Sequence, residues 1–260
     1  MNHQQENNRL RVGILWRGGP EGTETATPEN NRLYPLFNAF SNLNVTAEPV
    51  PYSDDSLHQI QALLLELDGV LVWVDPVTEY GDRSKLDPML KTIATRGVWV
   101  SAHPDVIQKI GTKEVLFRTR DFGWGTDTCM YPTVVQFREE FPPRLQASGP
   151  RVIKQRRGNG GVGTWKIETT CDEPDPIVRA QEARRGSLEE ELRLSDFINR
   201  CRRYFLNSGC VIDQPFQPRI AEGMIRCYLV HDKVAGFSTQ MPRGKADFAM
   251  ARDKTMYSED

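Results

Sequence analysis

The stretch VIKQRRGNGGVGTWKIE, residues 152–168, decides the fold of this 260-residue chain. Four glycines form its centre: Gly158, Gly160, Gly161 and Gly163. Three of them match the pattern G-x-G-x-x-G, and after the last one apolar Trp165 and Ile167 alternate with polar residues. An alternation with a period of two predicts a β-strand. The stretch therefore predicts a strand, a glycine loop and a second strand, a hairpin flap whose backbone N–H groups can approach phosphate oxygens.

Three other phosphate-binding motifs contain similar glycines, and the sequence argues against each of them. A dinucleotide-binding fold needs a helix directly after the third glycine, where this chain has a strand pattern. A Walker loop needs a lysine where this chain has Thr164. Protein kinases contain an Asp-Phe-Gly triplet, but Asp121, Phe122 and Gly123 precede the glycine loop, which reverses the kinase order, and the H-R-D motif is missing.

Short apolar runs alternate with segments of helical length in the first part of the chain. The runs predict strands at 11–16, 45–50, 69–74 and 98–101, and the segments between them predict helices at 31–43, 56–67 and 84–95. This order indicates a parallel sheet that is covered on both sides and ends near residue 110. Ligands bind beyond the carboxyl ends of such strands, so Arg17 and His103 are candidate substrate residues, although each also suits an ordinary turn.

After residue 110 the pattern changes, and two helices are predicted. Thr112 stands where a helix N-cap is expected, and Gly123 is expected to close that helix. A second helix is predicted over 134–146, where Pro142 and Pro143 predict a break or a kink.

Strand patterns dominate the remainder of the second part. Strands are predicted at 151–155, before the glycine loop, and at 210–214. Two more, at 225–231 and 233–239, are separated by a tight turn and predict a hairpin. Between these elements, the charged stretch 181–203 predicts a solvated loop and an exposed helix.

The composition limits the classes of partner. The chain has 33 Lys and Arg against 35 Asp and Glu, a net charge of −2, which favours neither nucleic acid nor an anionic membrane. The amino-terminal residues are polar, and no stretch approaches the roughly 20 apolar residues of a membrane span. The five cysteines are scattered without a C-x-x-C pair, as in proteins whose thiols stay reduced. We therefore expect a cytoplasmic protein with no membrane or nucleic-acid partner.

Two lysines accompany the flap. Lys154 lies on the strand that enters it, and Lys113 lies at the start of the preceding helix, where the helix end favours anions. Each lysine taken alone is better explained as a solvated side chain, as lysines at helix starts and strand ends usually are. Together with the flap, they predict a nucleotide site with the phosphates at the lysines. The adenine edge would meet the backbone of the segment from Asp213 to Phe216, and Phe216 or a neighbour would pack on the ring.

Four segments together resemble the ATP-grasp superfamily, most closely a group of bacterial Cj0069-like proteins. They are RVGILWRGG (11–19), GTKEVLFRTRDFGWGTDT (111–128), VIKQRRGNGGVGTWKI (152–167) and VIDQPFQPRIAEGMIRCYLVHDKVAGF (211–237). The resemblance implies an α/β fold, α+β overall. A pre-ATP-grasp, Rossmann-like domain with a parallel sheet is expected at residues 1–110, and an ATP-grasp domain at residues 111–260.

The same resemblance implies an ATP-dependent carboxylate ligase of the carboxylate-amine type. In this reaction ATP converts a small carboxylic acid into an acyl phosphate, which an amine or another nucleophile then captures. ATP and Mg²⁺ are the implied cofactors. Arg226 would be the catalytic residue and would neutralise the acyl phosphate or the substrate carboxylate, and Arg17 would clamp the substrate carboxylate.

The metal ligands are where the chain departs from the resemblance. ATP-grasp enzymes hold Mg²⁺ on acidic residues of strands that follow the equivalent of residues 234–237. Here Asp247 is the sole candidate in that region, so the carboxy-terminal part of the ATP-grasp domain is expected to be incomplete. The alternative is a non-catalytic protein of degenerate or truncated ATP-grasp fold that binds a nucleotide or a partner. The two substrates and the oligomeric state stay open, with a homo-oligomer as one option.

Overall fold

The computed structural model describes residues 9–18, 33–78, 81–171, 173–184 and 186–240. The chain divides into two compact units, Met1–Gly111 and Thr112–Asp260. The first contains a parallel sheet and the second antiparallel sheets, both with helices, and the predicted α/β class is confirmed. Among the described residues, no helix is long and apolar enough to cross a bilayer.

The first unit is built on four parallel strands in the order β2-β1-β3-β6. Its elements in chain order are β1 (Arg11–Arg17), α1 (Tyr34–Asn42), β2 (Thr46–Tyr52), a 3-10 turn (Asp54–Ser56), α2 (Leu57–Leu64), β3 (Gly69–Trp73), β4 (Val77–Thr78), β5 (Gly81–Asp82), α3 (Leu86–Thr95), β6 (Trp99–Ser101) and α4 (Pro104–Ile110). The strands β4 and β5 form a separate two-stranded ribbon. The four predicted strands therefore pair as one parallel sheet.

Both faces of this parallel sheet are packed, because neighbouring residues of a strand point to opposite sides. In β1, Leu15 belongs to a buried cluster with Leu64 of α2 and Leu90 of α3. Its neighbour Ile14 belongs to a second cluster with Phe37 of α1. The prediction of a sheet covered on both sides is confirmed, and it explains why its strands are almost continuously apolar.

The second unit is built on six antiparallel strands in the order β11-β10-β9-β8-β12-β7. Its elements are α5 (Glu114–Arg118), β7 (Cys129–Tyr131), α6 (Val134–Ser148), β8 (Arg151–Gln155), β9 (Thr164–Thr169), β10 (Ile177–Glu182), β11 (Glu190–Arg193), α7 (Leu194–Cys201), a 3-10 segment (Arg202–Ser208), β12 (Val211–Pro215), a 3-10 turn (Pro218–Glu222), β13 (Met224–Val230) and β14 (Lys233–Gln240). The last two strands pair with each other as a separate sheet, which confirms the predicted hairpin.

Helices α6 and α7 pack on one face of the six-stranded sheet. Phe137 and Phe141 of α6 stack with ring centroids 4.9 Å apart, and both are fully buried. Trp165 of β9 meets Phe197 of α7 edge to face, with centroids 5.8 Å apart. Burial of each such side chain stabilises the fold by about 1.5–3 kcal/mol, so this aromatic cluster is the core of the unit.

The two helices predicted first in this unit differ from expectation. Thr112 is not the N-cap: α5 begins at Glu114 with Lys113 at the cap position, and it ends at Arg118 rather than at Gly123. The N–H of Lys113 donates to the carbonyl of Arg156 at 3.0 Å, and this bond ties the chain to the end of β8 before the helix starts.

Helix α6 also differs from expectation, because it continues through Pro142 and Pro143 to Ser148 without a break. Phe141 precedes the two prolines, Leu145 follows them, and both side chains are fully buried in the same core cluster. We infer that this packing holds the two halves of the helix in line, although each proline removes one backbone hydrogen bond.

The charged stretch 181–203 is not a solvated loop with an exposed helix. It contains the end of β10, all of β11 and α7. Four side chains of α7 are buried: Leu194, Phe197, Ile198 and Cys201. Their spacing of i, i+3, i+4 and i+7 forms one apolar helical face, which the many charged neighbours conceal in the sequence.

Candidate functional site

The glycine loop joins two adjacent antiparallel strands, as the sequence predicts. In the hairpin, Ile153 of β8 lies opposite Trp165 of β9, and β9 begins directly after Gly163. The backbone has positive φ at Gly160 (58°), Gly161 (83°) and Gly163 (68°). Residues with a Cβ rarely adopt these angles, which explains the glycines. The hairpin is confirmed, and the dinucleotide alternative is excluded because no helix follows the loop.

The two halves of the glycine loop differ in their hydrogen bonds. In the second half, Gln155 binds the loop twice: its N–H donates to the carbonyl of Gly163 at 2.8 Å, and its Nε2 donates to that of Val162 at 3.0 Å. The N–H of Gly163 itself donates to Glu182 Oε1 at 2.8 Å.

In the first half, four consecutive N–H groups, at residues 158–161, have no acceptor among the described residues. A run of unpaired N–H groups around residues of positive φ is a common anion-binding arrangement in proteins.

Lys113 and Lys154 lie close enough that the charge of Lys113 lowers the pKa of Lys154. The Nζ of Lys113 donates to the carbonyl of Gly158 at 3.3 Å, and the Nζ of Lys154 donates to Gln214 Oε1 at 2.6 Å. Neither ammonium group pairs with a carboxylate in the part of the chain that the structure describes. The structure therefore brings together two cations whose protein partners are both neutral.

The ionisation of both lysines reflects this arrangement. Burial, and secondarily the charge of Lys113, lowers the pKa of Lys154 to about 8. Burial also lowers the pKa of Lys113. A charged group is seldom buried without an opposite charge, because the desolvation cost is then not offset. An anionic ligand between these side chains would supply the missing charge.

The lysines share a sheet face with an apolar patch. The pairing register places Val152 and Lys154 of β8 on the face opposite the helices, together with Lys166 of β9 and Gln214 of β12. Phe216 packs against Val152 and Ala183, and the Nζ of Lys166 lies 4.6 Å from the centre of its ring. This face thus combines a cationic region with an aromatic one, as a nucleotide requires for its phosphates and its base.

Asp213 lies on β12, the strand predicted to meet the base edge, but its side chain faces other residues of the protein. The carboxylate of Asp213 is fully buried, pairs with Arg151 at 2.7 Å and Arg144 at 3.2 Å, and accepts a hydrogen bond from Tyr131 at 3.1 Å. Its side chain therefore stabilises the fold. Burial, together with the neighbouring charge of Asp213, raises the pKa of Tyr131.

The backbone groups at the end of β12 differ in their pairing with the neighbouring strands. The N–H of Phe216 donates to the carbonyl of Pro150 at 2.9 Å, on the side of β8. Successive residues of a strand direct their backbone groups to opposite sides, so the carbonyl of Pro215 points to the other side. There the pairing with β7 ends at Asp213. Within the predicted backbone segment 213–216, the carbonyl of Pro215 therefore lies on the side of β12 that is no longer paired with β7.

Gln214 links the cationic region to β7. Its Oε1 accepts from Lys154, and its Nε2 donates to Thr128 at 3.0 Å and Thr126 at 3.2 Å. The buried Thr128 thus fixes the orientation of the amide. Gln214 was predicted for its backbone, whereas the structure shows its side chain holding Lys154.

The remaining predicted residues lie elsewhere. Arg226 is exposed on β13, opposite Ser238 of β14, in the hairpin outside the six-stranded sheet. Arg17, in the first unit, donates to Asp54 at 3.2 Å and to the carbonyl of Asp82 at 2.6 Å. A substrate carboxylate would compete there with Asp54.

The other two predicted residues are His103, a substrate candidate, and Asp247, the metal-ligand candidate. His103 caps α4, where its Nδ1 accepts from the N–H of Asp105 at 3.2 Å. Asp247 lies outside the described residues. Within the described part, no group of three or more His, Cys, Asp or Glu side chains could hold a metal ion.

Two residues near the loop were missed by the sequence analysis: Lys166 and Glu182. The alternation of β9 could have indicated Lys166, because it places this side chain on the same face as Thr164 and opposite Trp165. Glu182 is distant in sequence from the glycines and belongs to no motif. Its contact with the loop depends on the pairing of β9 with β10.

Comparison with known proteins finds similarity of structure. No protein-family model matches the chain, and no curated protein matches it in sequence. The D-cycloserine synthetase DcsG superposes with a TM-score of 0.57 at 12% identity, over 88% of this chain and 68% of that one. A RimK domain protein ATP-grasp from Sphaerobacter thermophilus DSM 20745 superposes with a TM-score of 0.50 at 14% identity, over 94% and 76%.

A third solved structure is similar over most of this chain. The carboxyaminoimidazole ribonucleotide synthase from Aspergillus clavatus, complexed with ATP, gives a TM-score of 0.50 at 13% identity. The match covers 94% of this chain and 56% of that one. At identities this low, the likeness establishes a shared fold and says nothing about substrates.

Proposed function

We propose that this chain, which has the ATP-grasp fold, binds ATP on the face of its six-stranded sheet opposite α6 and α7 and uses it to ligate a carboxylate to an amine. The observation that carries the proposal is the pair of half-buried lysines, Lys113 and Lys154, whose partners are neutral. Beside them lie the four loop N–H groups that have no acceptor among the described residues. A triphosphate would contact both sets of donors. Ammonium groups and unpaired backbone N–H groups together favour the binding of such an anion.

Each part of the nucleotide has a partner of suitable chemistry. We place the phosphates between the two lysines and the first half of the glycine loop. The base would lie on Phe216, Val152 and Ala183, with its edge toward the carbonyl of Pro215. Within the backbone segment 213–216 predicted from the sequence, we assign the base edge to Pro215.

In the proposed reaction, a carboxylate oxygen forms a bond to the γ-phosphorus while the bond between that phosphorus and the bridging oxygen of ADP breaks. The acyl phosphate then loses phosphate when an amine attacks its carbonyl carbon, and the amine releases a proton. Such transfers depend mainly on positioning and on neutralisation of charge. Lys113 and Lys154 would supply both, the loop would exclude water, and Arg226 remains the proposed partner of the acyl phosphate. Mg²⁺ would add further neutralisation, but we assign it no ligands.

The proposal also covers the domain bounds, the family group, the substrate residues, the location and the oligomeric state. We propose a pre-ATP-grasp domain at residues 1–110, an ATP-grasp domain at residues 111–260 and a particular likeness to the Cj0069-like group. Arg17 and His103 stay proposed as residues near the acid substrate. We also propose a cytoplasmic location and a homo-oligomeric state.

The test supplies ATP, Mg²⁺ and panels of carboxylic acids and amines to the purified protein, and measures ADP and phosphate. The proposal expects ADP release that depends on the acid, and a hydroxamate when hydroxylamine replaces the amine, because hydroxylamine traps acyl phosphates. Lys154→Met should abolish both signals. ATP binding without turnover for any acid would refute the ligase and support the non-catalytic alternative.

A further inference from the structure

We infer that Glu182 is a positioning residue, which fixes the second half of the glycine loop so that the first half can present its N–H groups to phosphate. The phosphate role of the loop rests on the proposed function, whereas the contact between Glu182 and the loop does not. Glu182 ends β10, the strand beside β9, and only 6% of its surface is exposed.

The carboxylate of Glu182 has two different partners. Its Oε1 accepts the N–H of Gly163 at 2.8 Å, in a buried hydrogen bond. Its Oε2 pairs at 2.7 Å with the Nε of Arg184, two residues further along the chain. A hydrogen bond from a backbone N–H to a charged, buried carboxylate is stronger than one between neutral groups. Glu182 therefore holds Gly163 more firmly than a neutral acceptor would.

The backbone around Glu182 supports the same part of the loop. The N–H of Ala183 donates to the carbonyl of Thr164 at 2.8 Å. Gly161 lies directly on this segment, because a Cβ at that position would be 2.4 Å from the carbonyl oxygen of Ala183. The loop thus rests on the end of β10 and approaches it closely only because residue 161 is glycine.

These contacts give the two halves of the glycine loop different roles. The N–H of Gly163 is already used by Glu182, so it is not available to a phosphate. The N–H groups at residues 158–161 lack acceptors among the described residues and are the ones left for the ligand. Because the second half is fixed, the first half needs little ordering when a ligand binds, which favours affinity.

The test compares Glu182→Ala and Glu182→Gln with the wild-type protein. Glu168→Ala is the matched control, since Glu168 is a part-buried glutamate of β9 that pairs with Arg179 at 3.2 Å. Hydrogen exchange of the loop N–H groups is measured without ATP. We expect exchange at Gly163 to quicken about tenfold in Glu182→Ala, to change less in Glu182→Gln, which keeps an oxygen acceptor, and to be unchanged in Glu168→Ala.

ATP binding is then measured on the same variants. We expect the dissociation constant for ATP to rise about tenfold in Glu182→Ala and to be partly restored in Glu182→Gln. Unchanged exchange at Gly163 in folded Glu182→Ala, or in Glu182→Met if the alanine variant fails to fold, overturns the inference, because neither side chain has an oxygen acceptor. So does faster exchange with unchanged ATP affinity. If the wild-type protein binds no ATP, the proposed function fails, and the exchange data still decide whether Glu182 holds the loop.

Discussion

Replacement of Lys154 by methionine should stabilise the ATP-free protein near neutral pH while removing ATP binding. Methionine keeps the length of the side chain without its charge. The folded state holds the Lys154 ammonium partly buried and near Lys113, with a neutral partner, so this charge opposes folding. A lysine kept for structural reasons would give the opposite sign, because its loss would destabilise the fold.

The size of the effect follows from the pKa. Folding lowers the pKa of Lys154 from 10.5 to about 8. Between these values the unfolded chain binds more protons, so wild-type stability rises with pH through this window, and the full penalty acts below pH 8. The penalty is on the order of 3 kcal/mol at pH 7 and about 1 kcal/mol at pH 9.5. Loss of the hydrogen bond to Gln214 offsets about 2 kcal/mol at neutral pH. Lys154→Met should therefore be about 1 kcal/mol more stable at pH 7, with no advantage at pH 9.5.

The assay is urea unfolding of both proteins at pH 7 and pH 9.5, followed by tryptophan fluorescence. Lys233→Met, which replaces an exposed lysine of β14, is the control and should leave stability within about 0.5 kcal/mol of wild type at both pH values. Thermal shifts with ATP complete the comparison. A Lys154→Met variant that is clearly less stable than wild type at pH 7 would refute the reasoning, because the lysine would then serve the fold.

Three further predictions concern separate features of the second unit. Asp213→Asn should lower the unfolding free energy by about 3–5 kcal/mol in urea unfolding, since it leaves the fully buried Arg151 without its closest anion; a loss below 1 kcal/mol would contradict this. Gly161→Ala should cost about 1–3 kcal/mol and weaken ATP binding, because its φ is 83° and its Cβ would strike Ala183; Gly123→Ala, with open space around it, should do neither. Phe216→Ala should weaken ATP about tenfold in calorimetry while leaving inorganic triphosphate unaffected, and an equal loss for both ligands would disprove stacking on the base.

Local patterns in the sequence were enough to predict the elements that depend on neighbouring residues. The alternation around Trp165 and Ile167 predicted the hairpin, because β9 exposes one face and buries the other. The apolar runs from β1 to β6 predicted the parallel sheet for a similar reason, since both of its faces are packed.

Features that depend on distant pairing could not be predicted in this way. The burial of one face of α7 was hidden because charged residues surround its four apolar positions. The structural role of the Asp213 carboxylate depends on Arg144 and Arg151, which are 69 and 62 residues away in the chain. Glu182 reaches the loop only because β10 pairs with β9, and neither its position nor its residue type indicates this in the sequence.

The most direct test of the account is calorimetric titration of ATP into the wild-type protein and into the double variant Lys113→Met/Lys154→Met at pH 7. The account predicts saturable binding to the wild type and at least an approximately hundredfold weaker affinity for the double variant, because two charge-assisted contacts are lost. Absence of binding to the wild type, or equal affinity of a folded double variant, would contradict the claim that this sheet face holds a nucleotide.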